Sequence, residues 1–278
     1  MKPNPEYLDD LIKRALKEDL GPRDVTTEAL ISPAAKSQAR IVAKSRGIIA
    51  GLFVAARVFK ILDSRLRFQS PLKEGEEVKP GAVVARIAGP TRPLLMGERV
   101  ALNFLGRLSG IATLTHQYVL ALQGTKAKIL DTRKTTPTLR PLEKYAVQAG
   151  GGKNYRWGLY DLVLIKDNHI TAVGDIPQAV ARARARWQDR YLIVVEVKNL
   201  KEVKAALNSS ADRLMLDNMN LSQMKKAVAL IDGRKEVEAS GNMDLIRARK
   251  TARLGVDYIS AGALTTKPAW LDLSLQFM

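Results

Sequence analysis

Residues 191–217 read YLIVVEVKNLKEVKAALNSSADRLMLD. An apolar, β-branched run (191–197) gives way to a segment with helical spacing of its apolar residues (200–207), and a second apolar run comes after it (213–217). The same alternation extends in both directions, through AKIL (127–130), LVLI (162–165), EVEAS (236–240) and DYISA (257–261). Helical patterns fill the intervals at 141–149, 175–187, 221–231 and 243–254. Asp175, Asn220 and Asn242 stand where N-caps belong. Strand–helix alternation of this kind predicts parallel strands joined by helical crossovers. Each run ends in polar or small residues: Asp131-Thr132-Arg133-Lys134, Lys166-Asp167-Asn168-His169, Lys198-Asn199 after Glu196, Asp217-Asn218, Ser240-Gly241-Asn242 and Ala261-Gly262-Ala263. In an α/β barrel these carboxyl ends converge on one mouth, where such folds carry their chemistry. An open doubly wound sheet alternates in the same way, but no GxGxxG or GxxxxGK[ST] occurs, and a barrel is preferred.

The first hundred residues differ. Segments 42–59 and 71–90 mix short strands with glycine turns around one short helix, which suits a small α+β layer and not more barrel. A long helical pattern at 97–123 is expected to break near Ser109-Gly110, where the domain boundary falls. The expected organisation is therefore an N-terminal domain over 1–109 and a barrel domain over 110–265.

Composition narrows the chemistry. A chain of 278 residues with 46% hydrophobic content has enough material for a sizeable core. No apolar run is long enough to span a bilayer, and the first residues lack a signal peptide's apolar stretch, so a cytoplasmic location is expected and no membrane partner. The absence of cysteine removes disulfides, thiolate metal sites and thiol nucleophiles. With only His116 and His169, a multi-histidine zinc site is disfavoured, and any metal is expected to be Mg²⁺ on oxygen ligands. The net charge of +17 asks for an anionic partner. The basic segments 181–187 and 245–255 read as solvated helix faces, without the aromatic-interleaved ribbon of RNA binders, so nucleic acid is not the expected partner.

The polar strand ends each admit a plain reading. Glu196, inside an apolar run, either pairs with a cation or points into a functional mouth, since an unpaired buried carboxylate is too costly. Asp217 either caps the helix near Leu221 or serves the mouth. Arg133, Lys134, Arg140, Lys153, Arg156 and Lys166 are either surface cations or anion ligands. Two acids and several cations at matching strand ends, beside small-residue turns able to hold a phosphate, point to a ligand with several anionic groups. Nucleophilic catalysis lacks support, because no GxSxG is present and His116 lies in a helical pattern. His169 is better placed for function.

DTRKTTPTLRPLEKYAVQAGGG (131–152) and KNYRWGLYDLVLIKDNHI (153–170) closely resemble the quinolinate phosphoribosyltransferases. So do EDLGPRDVTT (18–27), ERVALNFLGRLSGIAT (98–113), VEVKNL (195–200), LMLDNM (214–219), EASGN (238–242) and GVDYISAGALT (255–265), over nearly the whole chain. The resemblance implies an N-terminal α/β sandwich, an incomplete seven-stranded α/β barrel, and residues 266–278 returning to the first domain. It implies a homodimer, and phosphoribosyl transfer from 5-phosphoribosyl-1-pyrophosphate to quinolinate with loss of CO₂ and pyrophosphate, a step of NAD biosynthesis. On the matching positions, Glu196 and Asp217 lie near the ribose hydroxyls and Mg²⁺-pyrophosphate. Lys134 and Lys166 neutralise anionic groups, with Lys134, Glu196 and Asp217 as the catalytic set. Arg133 and Arg156 grip the quinolinate carboxylates, with Thr132, Tyr155 and His169 among the substrate contacts. Arg99 reaches in from the neighbouring subunit. Ser240, Gly241, Asn242, Ala261 and Gly262 take the 5-phosphate. Where many family members have Asn-His-Arg, this chain has Asn154-Tyr155-Arg156; tyrosine can donate and stack but carries no charge near neutral pH. Two rivals are a paralogous transferase with another acceptor and a basic nucleic-acid-binding α/β protein.

Overall fold

Parallel strands need crossovers, and from residue 128 onward a helix succeeds each strand of the parallel sheet. The computed structural model describes residues 3–278. In chain order the elements are α1 (Pro5–Leu20), α2 (Val25–Leu30), β1 (Lys36–Ala43), β2 (Gly47–Ile48), α3 (Leu52–Leu62), β3 (Arg67–Gln69), β4 (Glu77–Val78) and β5 (Val83–Pro90). Then come α4 (Thr91–Ala121), β6 (Lys128–Leu130), α5 (Arg140–Ala149), β7 (Val163–Ile165), α6 (Asp167–Val173), α7 (Ile176–Trp187), β8 (Ile193–Val197) and α8 (Leu200–Leu207). The chain closes with β9 (Arg213–Asp217), α9 (Leu221–Ile231), β10 (Glu236–Ser240), α10 (Leu245–Ala252), β11 (Tyr258–Ser260), α11 (Ala263–Thr266) and β12 (Leu273–Phe277). Two units divide it: one takes residues up to His116 with Pro137–Gly151 and Lys267–Met278, the other Gln117–Thr136 with Gly152–Thr266.

The first unit is built on an antiparallel sheet of order β12-β1-β5-β3, with β2 and β4 paired separately. Alternation along β1 buries Ala39 and Ile41 while Lys36, Gln38 and Arg40 stay exposed, so only one face needs a cover. Ile12 of α1 and Val54, Ala55, Val58 and Phe59 of α3 are fully buried in the same unit, and the rings of Phe59 and Phe68 stack at 6.1 Å. Arg57 Nε donates to Asp9 Oδ1 at 2.6 Å, tying α3 to α1. Glu143 of α5, wholly buried, accepts from Arg107 Nε at 3.1 Å.

The helix expected to break at Ser109-Gly110 does not break: α4 runs unbroken from Thr91 to Ala121. Small residues there allow close approach instead. A Cβ on Gly110 would stand 2.2 Å from the carbonyl oxygen of Ala269. One turn earlier, Gly106 O accepts from Leu271 N at 3.0 Å. Ser109 turns its hydroxyl to the Ala50 carbonyl at 3.2 Å.

The second unit carries a parallel sheet of order β6-β11-β10-β9-β8-β7. Among the described residues no pairing closes β7 onto β6. A parallel bridge between Leu130 and Lys153 adds a further extended segment at the β6 edge. Asp131, fully buried, holds that segment by accepting from Asn154 Nδ2 at 2.6 Å and Tyr155 N at 2.9 Å. Leu130, Leu164, Val194 and Met215 form one buried cluster on the concave face, with Tyr155 among them. Asp175 and Asn220 cap α7 and α9 as expected, but α10 begins at Leu245 under Asp244, not at Met243 under Asn242. Asn242 is instead a left-handed turn residue with φ 49°, which asparagine tolerates.

Gly110→Ala is expected to destabilise the protein by about 1–3 kcal/mol, because the new methyl must displace backbone; chemical denaturation measures this. Gly241, at φ +95° and with a virtual Cβ 2.1 Å from Asn218 Oδ1, is expected to tolerate alanine as poorly. That loss is read as a lowered Tm.

Candidate active site

Side chains two apart on a strand share a face, so the positions beyond the apolar cluster are fixed by it. Past Leu164 comes Lys166, past Val194 comes Glu196, past Met215 comes Asp217, and past Leu130 comes Thr132. Register puts Ser240 opposite Asp217 and Glu238 opposite Met215, which adds β10 to the same face. The polar strand ends expected from the sequence therefore do form one ring at the carboxyl end of the sheet.

Within the ring, Lys166 Nζ lies 2.6 Å from Glu196 Oε1. Glu196 is thus both paired and at the mouth, two readings that the sequence poses as alternatives. The pair is open to solvent on its lysine side, which limits what it adds to stability. Asp217 does not cap α9, a task that Asn220 performs; its Oδ2 accepts from Asn218 Nδ2 at 2.9 Å. Asn218, at φ 54°, turns the chain there, and its N–H donates to the Ser240 carbonyl at 3.0 Å. Beside the ring, Lys198 Nζ sits 2.7 Å from Asp167 Oδ2, a hydrogen bond that holds the Asp167 carboxyl below the usual range.

The cations arrive from two loops. The loop after β6 carries Thr132, Arg133 and Lys134, and Thr132 Oγ1 accepts the Lys134 N–H at 3.0 Å. The loop is tied to the turn after β11, where Thr265 Oγ1 donates to the Lys134 carbonyl at 2.7 Å. That turn presents Gly262, whose carbonyl accepts from Thr265 and Thr266; Ala261 N donates to Leu130 O at 3.0 Å. Arg156 comes from the segment anchored by Asp131 and is buried, with Nη1 reaching the Leu162 carbonyl at 3.4 Å. Burial, then the neighbouring Arg133 guanidinium, pull Arg156 below the ordinary arginine value. Two guanidinium groups that act on one another electrostatically suit an anionic ligand.

Other expected site residues are placed differently. Tyr155 is not an exposed stacking surface but a member of the dry cluster, 9% exposed, and burial raises its hydroxyl well above the ordinary tyrosine value. His169, exposed, accepts the Lys166 N–H on Nδ1 at 3.0 Å and so closes the start of α6. Asp244 fills the N-terminus of α10, a position the sequence suggests for a phosphate, by accepting the Arg247 N–H at 2.7 Å. Arg99 is exposed on α4 in the first unit, Lys153 lies in the edge bridge, and Arg140 opens α5.

For a metal, Glu196 and Asp217 are the oxygen donors of the ring. No group of three or more His, Cys, Asp or Glu that could hold an ion occurs among the described residues. This donor set suits a Mg²⁺ carried chiefly by substrate oxygens and water, not a closed protein cage.

Sequence reasoning misses Asp131 and Glu238. Glu238 is within its reach, since EVEAS alternates and sets Glu236, Glu238 and Ser240 on one face. No helix among the described residues is long and apolar enough to cross a membrane.

Residues 24–109 match the family described as quinolinate phosphoribosyl transferase, N-terminal domain, and residues 111–276 its C-terminal domain. A probable nicotinate-nucleotide pyrophosphorylase (carboxylating) of Synechocystis sp. is 46% identical over 274 residues, covering 98% of this chain and 92% of its own. A Bacillus subtilis protein of the same description is 41% identical over 268 residues, covering 96% and 92%. The crystal structure of NadC from Streptococcus pyogenes superposes with a TM-score of 0.95 at 43% identity, covering 100% of this chain and 99% of that one. With both domains matched and relatives this similar along their full length, the chain belongs to the quinolinate phosphoribosyltransferase family.

Proposed function

We propose that the protein transfers the phosphoribosyl group of 5-phosphoribosyl-1-pyrophosphate to quinolinate and releases pyrophosphate, CO₂ and nicotinate mononucleotide. The observation that carries this is the buried Arg156 guanidinium, with Arg133 of the loop after β6 acting on it electrostatically, beside the Lys166–Glu196 pair. A planar dicarboxylate seats its two anionic groups on two such forks, whereas a single phosphate needs only one. The paralogue with a different acceptor leaves that second fork unexplained.

In this reaction the pyridine nitrogen attacks C1′ of the ribose, the C1′–O bond to pyrophosphate breaks, and positive charge builds on the ring. Glu196 and Asp217 face the ribose and offset that charge. Lys134 and Lys166 hold the anionic oxygens of the leaving pyrophosphate and of the acid. Once the pyridinium has formed, the bond from C2 to its carboxylate breaks, CO₂ leaves, and C2 takes a proton. No side-chain nucleophile is required, and the acceleration comes from orientation and preorganised charge. Asp217 and Glu196 would hold a Mg²⁺, whose charge would offset that of the pyrophosphate. The turns at Ser240-Gly241-Asn242 and Ala261-Gly262 line the side that receives the 5-phosphate. The working protein is a homodimer, with Arg99 serving the mouth of the neighbouring subunit, and the reaction runs in the cytoplasm.

Purified protein given quinolinate, phosphoribosyl pyrophosphate and Mg²⁺ is expected to form nicotinate mononucleotide, followed by chromatography, and to stop when Mg²⁺ is chelated. A folded sample without product sinks the reading. Glu196→Gln and Asp217→Asn are expected to lower turnover by roughly 10²–10³-fold while the circular dichroism spectrum is kept. Arg156→Lys, which keeps the charge but loses the fork, is expected to raise KM for quinolinate by about tenfold or more.

A further inference from the structure

Beneath the mouth the concave face is not entirely apolar. Arg213 begins β9 and is 8% exposed; it donates through Nε and Nη2 to Glu236 Oε2 at 3.0 and 2.7 Å. Its guanidinium lies 3.9 Å over the Tyr258 ring, and the Tyr258 hydroxyl donates to Glu236 Oε1 at 3.1 Å. Glu236 thus takes the better part of the Arg213 fork. One inward step toward the mouth stands Glu238, with no exposed surface and a single, longer contact of 3.3 Å from Arg213 Nη1 to Oε2. Its other oxygen, Oε1, is buried without a hydrogen-bond partner.

A carboxylate in that setting has only one long contact with a cation, and low surrounding polarity favours the neutral acid. The Ser260 hydroxyl from β11 and then the Arg213 guanidinium from β9 favour the charged form; Glu196 from β8 disfavours it. Tyr155 packs in the same interior and supplies no cation. Burial wins, and Glu238 is pushed up to about 7. Glu238 stands two residues below Ser240 on the same face, one step from the mouth, and across so dry an interior charge placed there reaches it.

We propose that Glu238 is a proton-linked positioning residue of this site: an anionic ligand seated in the mouth draws a proton from solvent onto Glu238. The buried carboxylate gains one proton from solvent, and no bond of the ligand changes. Neutralising Glu238 removes a negative charge beneath a ring that must hold a polyanion next to Glu196 and Asp217. The inference rests on the proposed function only in naming quinolinate as the ligand.

Calorimetric titration with quinolinate alone at pH 7, in two buffers of different ionisation enthalpy, reads both binding and proton uptake. Quinolinate is suited to this because its acid groups are already ionised at that pH. The wild-type protein is expected to take up as much as about half a proton per site, the share left open on a group that is half-protonated. Glu238→Gln keeps the oxygen that faces Arg213, and it is expected to bind quinolinate without that uptake. Binding with no uptake in the wild-type protein, or with equal uptake in Glu238→Gln, overturns the proposal. No binding heat at all overturns the reading of the mouth on which the choice of ligand rests, a separate result. Stability supplies a second reading that needs no ligand. A carboxyl raised in the folded state favours folding below its unfolded value near 4.5, and this is lost as pH rises through about 7. Glu238→Gln is therefore expected to flatten the decline in Tm across that window, and an unchanged decline counts against the proposal.

Discussion

The whole site depends on a dry floor. Charges at the carboxyl ends of parallel strands act on a ligand only if the layer below them excludes water, because a wet floor would screen them. Leu130, Leu164, Val194 and Met215 make that layer, with the Tyr155 ring filling it. Since side chains on a strand alternate with a period of two, committing those four residues to the interior also commits Thr132, Lys166, Glu196 and Asp217 to the mouth. Packing and chemistry are consecutive steps along the same strands. A register slip in any one of them would bury a charge and expose an aliphatic side chain at once.

Tyr155, where the resemblance implies a histidine, is on these terms part of the floor. Its ring lies 9% exposed among aliphatic side chains, and its backbone N–H donates to Asp131. The same carboxylate grips Asn154, so the buried Asp131 fixes the segment that delivers Arg156. On the proposed function, recognition of an acid at the mouth then falls to the arginine forks. The identity of residue 155 bears on the polarity beneath them, where the neutral Tyr155 ring packs in the cluster.

Much of the fold is legible in the sequence, for a physical reason. Parallel strands buried on both faces read as short apolar runs, and their ends must be polar where they meet a ligand. The six runs, the helices between them and the caps at Asp175 and Asn220 come from local rules. Gly110 misleads because a glycine inside a helical pattern signals either a break or a close approach, and the carbonyl of Ala269 lies too far along the chain for any local window to see. Asp244 displaces Asn242 as a cap because the turn at Gly241 needs a left-handed residue after it, which uses up Asn242. The buried charges escape notice differently. Arg213 and Glu238 look like surface residues until strand register sets them on one face with the exposed Glu236.

The central claim is that the mouth of the parallel sheet seats a dicarboxylic acid on two arginines. A crystal structure of the protein soaked with quinolinate tests it most directly. The account predicts the pyridine ring at the carboxyl ends of the strands, with its carboxylates within hydrogen-bonding distance of Arg133 and Arg156. Quinolinate bound elsewhere, or bound there with Arg156 turned away from both carboxylates, would contradict it.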